Sequence, residues 1–249
     1  MIRFHLRLRA AIAVPVLLAL TACGGGDADG DATRSEPIAA IPAPEGEEWS
    51  MVAQVTPEDG YVVGNPDAPI KLMEYASLTC PACAKFSTDS ASALETYVDS
   101  GVVSYEIRNQ IHNVLDLTLA MLVRCGSPES FHPLANQVWS NLDSVLGPAQ
   151  QNGEAINAAM QGAPEQRFQR IAQAAGFLDF FAARGISRDQ AIQCLADAAE
   201  GEAIANRSQT QSQELNVTGT PTFFLNGRKL DNASNWADLE PILQNAGAR

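Results

Sequence analysis

Two cysteines three positions apart, Cys80 and Cys83, stand where a strand signal meets a helix signal, and this placement restricts the fold more than any other feature. Ahead of them, Ile70-Lys71-Leu72-Met73-Glu74-Tyr75 reads as a short strand entered through the turn-rich Gly64-Asn65-Pro66-Asp67-Ala68-Pro69. Behind them a helix is predicted from Pro81, whose fixed φ suits a first helical position. Phe86, Ala93, Leu94, Tyr97 and Val98 recur at helical spacing, and Gly101 stops the run. Val102-Val103-Ser104-Tyr105-Glu106-Ile107 is alternating and β-branched, a second strand. Strand, helix and strand in about forty residues make a βαβ unit with parallel strands and a right-handed connection.

From about Leu115 to Leu215 the pattern is helical throughout. Leu117, Ala120, Met121 and Arg124 begin one helix, and Phe168, Ile171, Ala172 and Ala175 mark another. Gly176 and Gly185 read as helix stops, and Ser187 with Gln190 as a capping box. Strand signals return in Thr222-Phe223-Phe224-Leu225 and Arg228-Lys229-Leu230, joined by Asn226-Gly227, a strong hairpin signal. Trp236, Leu239, Ile242 and Leu243 predict a closing helix, whose regular part is expected near Glu240 because Pro241 fits poorly in a helix interior.

The first residues read as export and anchoring. Arg3, Arg7 and Arg9 precede an apolar run over 10–20 that is too short to span a bilayer and has the length of a signal-peptide core. Leu20-Thr21-Ala22-Cys23 resembles a bacterial lipobox, which predicts lipidation of Cys23; an ordinary signal peptide with an incidental cysteine is the plainer alternative. Residues 24–48, rich in Gly, Pro and acidic side chains, read as a disordered tether. The whole chain has a formal charge of −13, and without the first 22 residues 13 basic side chains face 29 acidic ones. Such a balance argues against nucleic acid as a partner, because phosphate binding rests on clustered Lys and Arg. Any membrane attachment must then come from something other than charge.

The cysteine pair has a chemistry that follows from its position. As the residue before Pro81, Cys80 is the expected N-cap, its sulfur facing the unpaired N–H groups and positive dipole end of the helix. Both favour thiolate, the attacking species. Cys83 lies one turn along, where its sulfur can return to meet that of Cys80. Pro81 and Ala82 add no charge, so a lowered Cys80 pKa is expected to rest mainly on backbone dipoles, with a correspondingly oxidising centre. A zinc site would need two further ligands; Cys125, Cys194 and the histidines form no second CxxC or CxxH pattern, and no metal is expected.

Glu74-Tyr75-Ala76-Ser77-Leu78-Thr79-Cys80-Pro81-Ala82-Cys83, together with Val217-Thr218-Gly219-Thr220-Pro221-Thr222-Phe223, resembles the DsbA-like branch of the thioredoxin superfamily over about residues 50–246. The resemblance implies an α/β thioredoxin fold with an inserted all-helical domain. The division expected is a lipoprotein signal peptide at 1–22, lipidated cysteine and tether at 23–49, the first part of the thioredoxin fold at 50–112, the helical insertion at 113–215 and the second part of the fold at 216–249. By resemblance Cys80 is the nucleophile, Cys83 the resolving thiol and Cys80–Cys83 the redox-active disulfide around the Pro81-Ala82 dipeptide. Pro221 matches the family's cis-proline, with Thr220 before it contacting substrate backbone. Glu74 matches a buried acid that assists proton transfer at the second cysteine, although on sequence alone it could be a surface carboxylate.

If Cys23 carries lipid, four cysteines remain. Cys125 and Cys194, both in the helical stretch, are expected to form a structural disulfide in an oxidising compartment, two separately buried thiols being the alternative. His112 and His132 have no motif context. The function implied is a thiol–disulfide oxidoreductase of the cell envelope, lipid-anchored toward the periplasm with the outer membrane favoured, acting as a dithiol oxidase without a cofactor. Its expected partners are cysteine-containing exported polypeptides and a membrane redox protein, and a monomer is expected, since no dimerisation segment is evident. An isomerase or reductase of the same fold, or a tethered binding module without turnover, are the other readings.

Overall fold

The central strand is the one the pattern places before the cysteines, and at its C-terminal end it is buried on both faces. In a computed structural model, which describes residues 35–249, strands β1 (Ala53–Val55), β2 (Tyr61–Gly64) and β3 (Ile70–Ala76) precede helix α1 (Pro81–Asp99) and strand β4 (Val103–Asn109). Along β3, Ile70, Leu72, Glu74 and Ala76 face one way and Met73 and Tyr75 the other. Tyr75 packs with Val217 and Phe224 on that second face.

Eight helices then follow among the described residues: α2 (Val114–Val123), α3 (Pro128–Ser140), α4 (Leu142–Gln151), α5 (Gly153–Met160), α6 (Pro164–Ala174), α7 (Phe177–Ala182), α8 (Arg188–Ala196) and α9 (Ala198–Glu214). Strands β5 (Thr222–Leu225) and β6 (Arg228–Lys229) and helix α10 (Trp236–Asn245) complete the chain. The six strands lie in the order β1-β2-β4-β3-β5-β6. Only the β3–β4 pair is parallel, as the βαβ reading requires, with Glu74 opposite Ile107; on its other side Glu74 is opposite Phe223. The β5–β6 turn uses Asn226 and Gly227 at φ 48° and 78°, the two left-handed residues that a tight hairpin of matching twist needs.

One apolar cluster runs through both the sheet and the helical stretch, from Leu72, Phe86 and Phe223 to Leu119, Phe131, Phe168 and Phe181. The helices therefore bury the sheet rather than sit apart from it. Cys125, just past α2, is bonded to Cys194 of α8 across a sequence separation of 69, with Cα atoms 5.9 Å apart.

Two local expectations are corrected. Helix α10 begins at Trp236, not near Glu240: the Asn235 side chain caps it by accepting the Asp238 N–H, and Trp236, Leu239 and Leu243 are buried. Pro241 removes one backbone donor, which the cap and this apolar face outweigh. The second correction concerns residues 35–48 of the expected tether. Ser35 and Ile38 donate backbone hydrogen bonds to Asn245 and Gly247, Ile41 donates to Ser100, and the Trp49 indole donates to the Ile41 carbonyl. This strap needs Gly101, at φ 71°, because a Cβ there would meet the Ile41 carbonyl oxygen at 2.3 Å. Glycine and proline spacing signalled disorder; backbone pairing to the body is invisible in that spacing. The signal peptide, Cys23 and the tether's first part at 24–34 lie outside the described residues.

Candidate active site

Strand β3 ends at Ala76, and a short turn, Ser77-Leu78-Thr79, carries the chain into Cys80. Cys80 is the N-cap of α1, extended at φ −90° and ψ 118°, with Pro81 at the first helical position. Its Sγ accepts the backbone N–H of Cys83 at 3.4 Å. On its other side the Cys80 thiol lies 3.4 Å from the Thr220 carbonyl oxygen, to which it donates when protonated. Thr220 and Pro221 are joined by a cis peptide bond. The loop before β5 thus forms one rim of the site and the start of α1 the other.

Cys80 and Cys83 are both free thiols, Cys80 half-buried and Cys83 fully buried. The hydrogen bond from the Cys83 thiol is the largest influence on Cys80, and with Thr220 and the backbone N–H groups of Cys83 and Ala82 it outweighs burial, lowering Cys80 to about 5. Cys83 is held protonated well above the ordinary thiol range, first by this same bond and then by burial and by the charge of Glu74. The expectation that backbone dipoles carry most of the Cys80 shift is therefore corrected: the neighbouring thiol contributes more.

Glu74 is fully buried on the same face of β3. The Tyr105 hydroxyl, from β4, donates to its Oε2, while Oε1 has no hydrogen-bond partner. Burial raises Glu74 to about 8; the Tyr105 bond opposes this, and the charge of Cys80 adds to it. At neutral pH the side chain is therefore mainly a neutral acid beside the buried thiol.

Several residues reach this region that the sequence did not single out. His112 is exposed, with Nε2 3.5 Å from the Thr220 Oγ1. Tyr105 is one more apolar-face residue in an alternating strand, so nothing in the sequence announces its bond to Glu74. Asp116, in the first turn of α2, is fully buried and bonded to the Ser77 hydroxyl. His132, by contrast, lies within 2.8 Å of the Tyr61 carbonyl, and burial lowers it to about 4, keeping it neutral.

Comparison with known proteins agrees with this architecture. A family model described as thioredoxin matches residues 56–245. The fold is similar to a crystal structure of protein-disulfide isomerase from Novosphingobium aromaticivorans, at 31% identity and a TM-score of 0.70, covering 78% of this chain and 99% of that one. It is also similar to alpha-DsbA1 of Wolbachia pipientis, at 28% identity and a TM-score of 0.52, covering 66% of this chain and 73% of that one. The chain belongs to the DsbA-like branch of the thioredoxin superfamily. Among curated relatives, this DsbA-like chain is 27% identical over 175 residues to a Rickettsia typhi protein that carries the name of a protein-disulfide oxidoreductase. The match covers 70% of this chain but only 57% of that protein's length.

Proposed function

We propose that this DsbA-like protein is an exported thiol–disulfide oxidoreductase that acts as a dithiol oxidase through Cys80 and Cys83. The observation that carries this reading is the pairing of an accessible sulfur at the start of α1, lowered to about 5, with a buried partner thiol one turn along. A low thiolate basicity at Cys80 stabilises the reduced form and so makes the disulfide a stronger oxidant. Sulfur chemistry of this kind needs no cofactor.

In the oxidised protein, a substrate thiolate attacks the Cys80 Sγ. The Cys80–Cys83 bond breaks, and the electron pair goes to Cys83, which takes a proton from Glu74. A second substrate thiolate then attacks the substrate sulfur of the mixed disulfide and expels Cys80 as a thiolate. The substrate loses two electrons and gains a disulfide, the protein gains those electrons as a dithiol, and a membrane disulfide donor would restore it. Thr220 and Pro221 line the place where the substrate strand approaches. Cys125–Cys194 has a structural role.

The substrates are cysteine-containing exported polypeptides. The proposed setting is the periplasmic side of the cell envelope, with the chain held as a monomer to a membrane, the outer one favoured, by lipid on Cys23. Equilibration of Cys80 and Cys83 with glutathione buffers tests the direction of transfer. A midpoint more oxidising than the glutathione couple is expected; a midpoint near that of a thioredoxin-type reductant, about −270 mV, would overturn the oxidase role.

An isomerase is the second reading, favoured by the name of the Novosphingobium relative that this chain covers almost completely. Oxidation of reduced ribonuclease without recovery of scrambled ribonuclease supports the oxidase; the reverse pattern supports the isomerase.

A further inference from the structure

We propose that Asp116 is a positioning residue for the reactive centre: one buried carboxylate, supplied by the helical insertion, holds both the turn that delivers Cys80 and the histidine that meets Thr220. This inference rests on the oxidoreductase reading above. The Asp116 Oδ1 accepts the Leu78 N–H at 2.9 Å, and Oδ2 accepts the Ser77 hydroxyl at 2.6 Å and the His112 N–H at 3.0 Å. Three donors converge on a side chain that is entirely buried. A buried carboxylate is costly unless its oxygens are satisfied, and here both oxygens accept hydrogen bonds. Asparagine offers one acceptor oxygen and turns an NH2 toward a donor; leucine offers nothing.

The rest of the turn is fastened from the same side. The Asn113 Oδ1 caps Asp116 while its Nδ2 donates to the Thr79 Oγ1 at 3.2 Å. The Ser77 Oγ accepts the Thr79 N–H, and the Trp139 indole of α3 donates to the Ser77 carbonyl at 3.0 Å. Every residue between β3 and Cys80 is thus bonded to the network. On the opposite rim, the His112 backbone is held by the carboxylate while its ring meets Thr220, whose carbonyl faces the Cys80 sulfur. Of the residues bonded to Asp116, His112 is the one with an ionisable side chain, and it is joined through its backbone N–H. Ser77, Leu78, Asn113 and Thr79 add no charge.

Protonation breaks this arrangement, because a carboxylic acid must donate where three donors already point. Burial raises Asp116 to about 6, so the support is complete above that pH and is lost below it. The test compares the full chain and Asp116→Asn, both as the Cys80–Cys83 disulfide, oxidising a short dithiol peptide at about pH 7.5 and about pH 5. The loss of one charged hydrogen-bond network predicts about a fivefold lower kcat/KM for the variant at the higher pH. At the lower pH the gap closes, since the wild-type aspartate is then itself neutral. An equal loss at both pH values, the mark of general structural damage, overturns the proposal, as does no loss at all.

Should Asp116→Asn not fold, Ser77→Ala removes one of the three bonds and keeps the charge. It is expected to lower kcat/KM about twofold at the higher pH. In the wild type, the Leu78 and His112 amide resonances are expected to titrate together near pH 6, and separate midpoints overturn the proposal. A wild-type disulfide that leaves the peptide reduced would sink the oxidoreductase reading itself, an outcome distinct from any difference between variants.

Discussion

The Tyr105 hydroxyl on β4 donates to Oε2 of Glu74 on β3, and this bond between neighbouring strands holds the acid that stands beside Cys83. Removing the donor while keeping the ring isolates its effect. Tyr105→Phe leaves the carboxylate with less stabilisation, so Glu74 should move further up, by roughly one to two pH units for a charged hydrogen bond. Carbon NMR of the Glu74 carboxyl in the reduced protein measures this directly; an unchanged midpoint would disprove the coupling.

Glu74→Gln should make the protein more stable in base. Burial raises the folded-state value of Glu74 from 4.5 to about 8. The native state therefore binds the proton more tightly than the unfolded state, and stability is lost as pH rises from 4.5 through about 8. Glutamine has no proton to lose. Urea unfolding at about pH 9 should show the variant ahead by roughly 3–5 kcal/mol, with the gap gone near pH 4. The same variant should release Cys83 about tenfold more slowly in stopped-flow reduction, because the nearby acid is missing.

Cys80 should react with iodoacetamide as a thiolate well below neutral pH. Its sulfur is lowered to about 5, so the rate should rise through a midpoint near that value and level off by about pH 7. Cys83, buried and held protonated, should stay unlabelled in the folded protein. Mass spectrometry after brief labelling separates the two. Comparable labelling of both cysteines would count against the site as described.

Replacing Cys125 and Cys194 together with serine should cost stability and spare the chemistry. The bond closes a loop of 69 residues between the end of α2 and α8, for which chain entropy predicts a loss of up to about 4 kcal/mol. Thermal unfolding measures the loss, while Cys80 alkylation should keep its wild-type pH midpoint. A shifted midpoint would mean that the crosslink also shapes the reactive centre.

Much of the architecture is legible in periodicity. The alternation around Met73, the helix after Pro81, the change to helical spacing beyond Leu115 and the Asn226-Gly227 hairpin each reflect a local rule that tertiary packing did not override. The position of Cys80 at a helix start is legible for the same reason. Tyr105 and Asp116 are not, because their importance lies in what they meet across strands and across the helical stretch. Asn113 and Asp116 carry an ordinary helix-start signal, and only packing turns Asp116 toward Ser77 and Leu78. The strap over 35–49 reads as tether in the sequence because main-chain pairing needs no particular side chains.

That strap has a consequence for orientation. It is sewn to Ser100 and to the end of α10, at the tail of α1, whereas Cys80 stands at the head of the same 19-residue helix, about 27 Å away. The two ends of one helix thus have separate duties: its tail is stitched to the strap, and its head, carrying the reactive sulfur, is left clear of those backbone bonds.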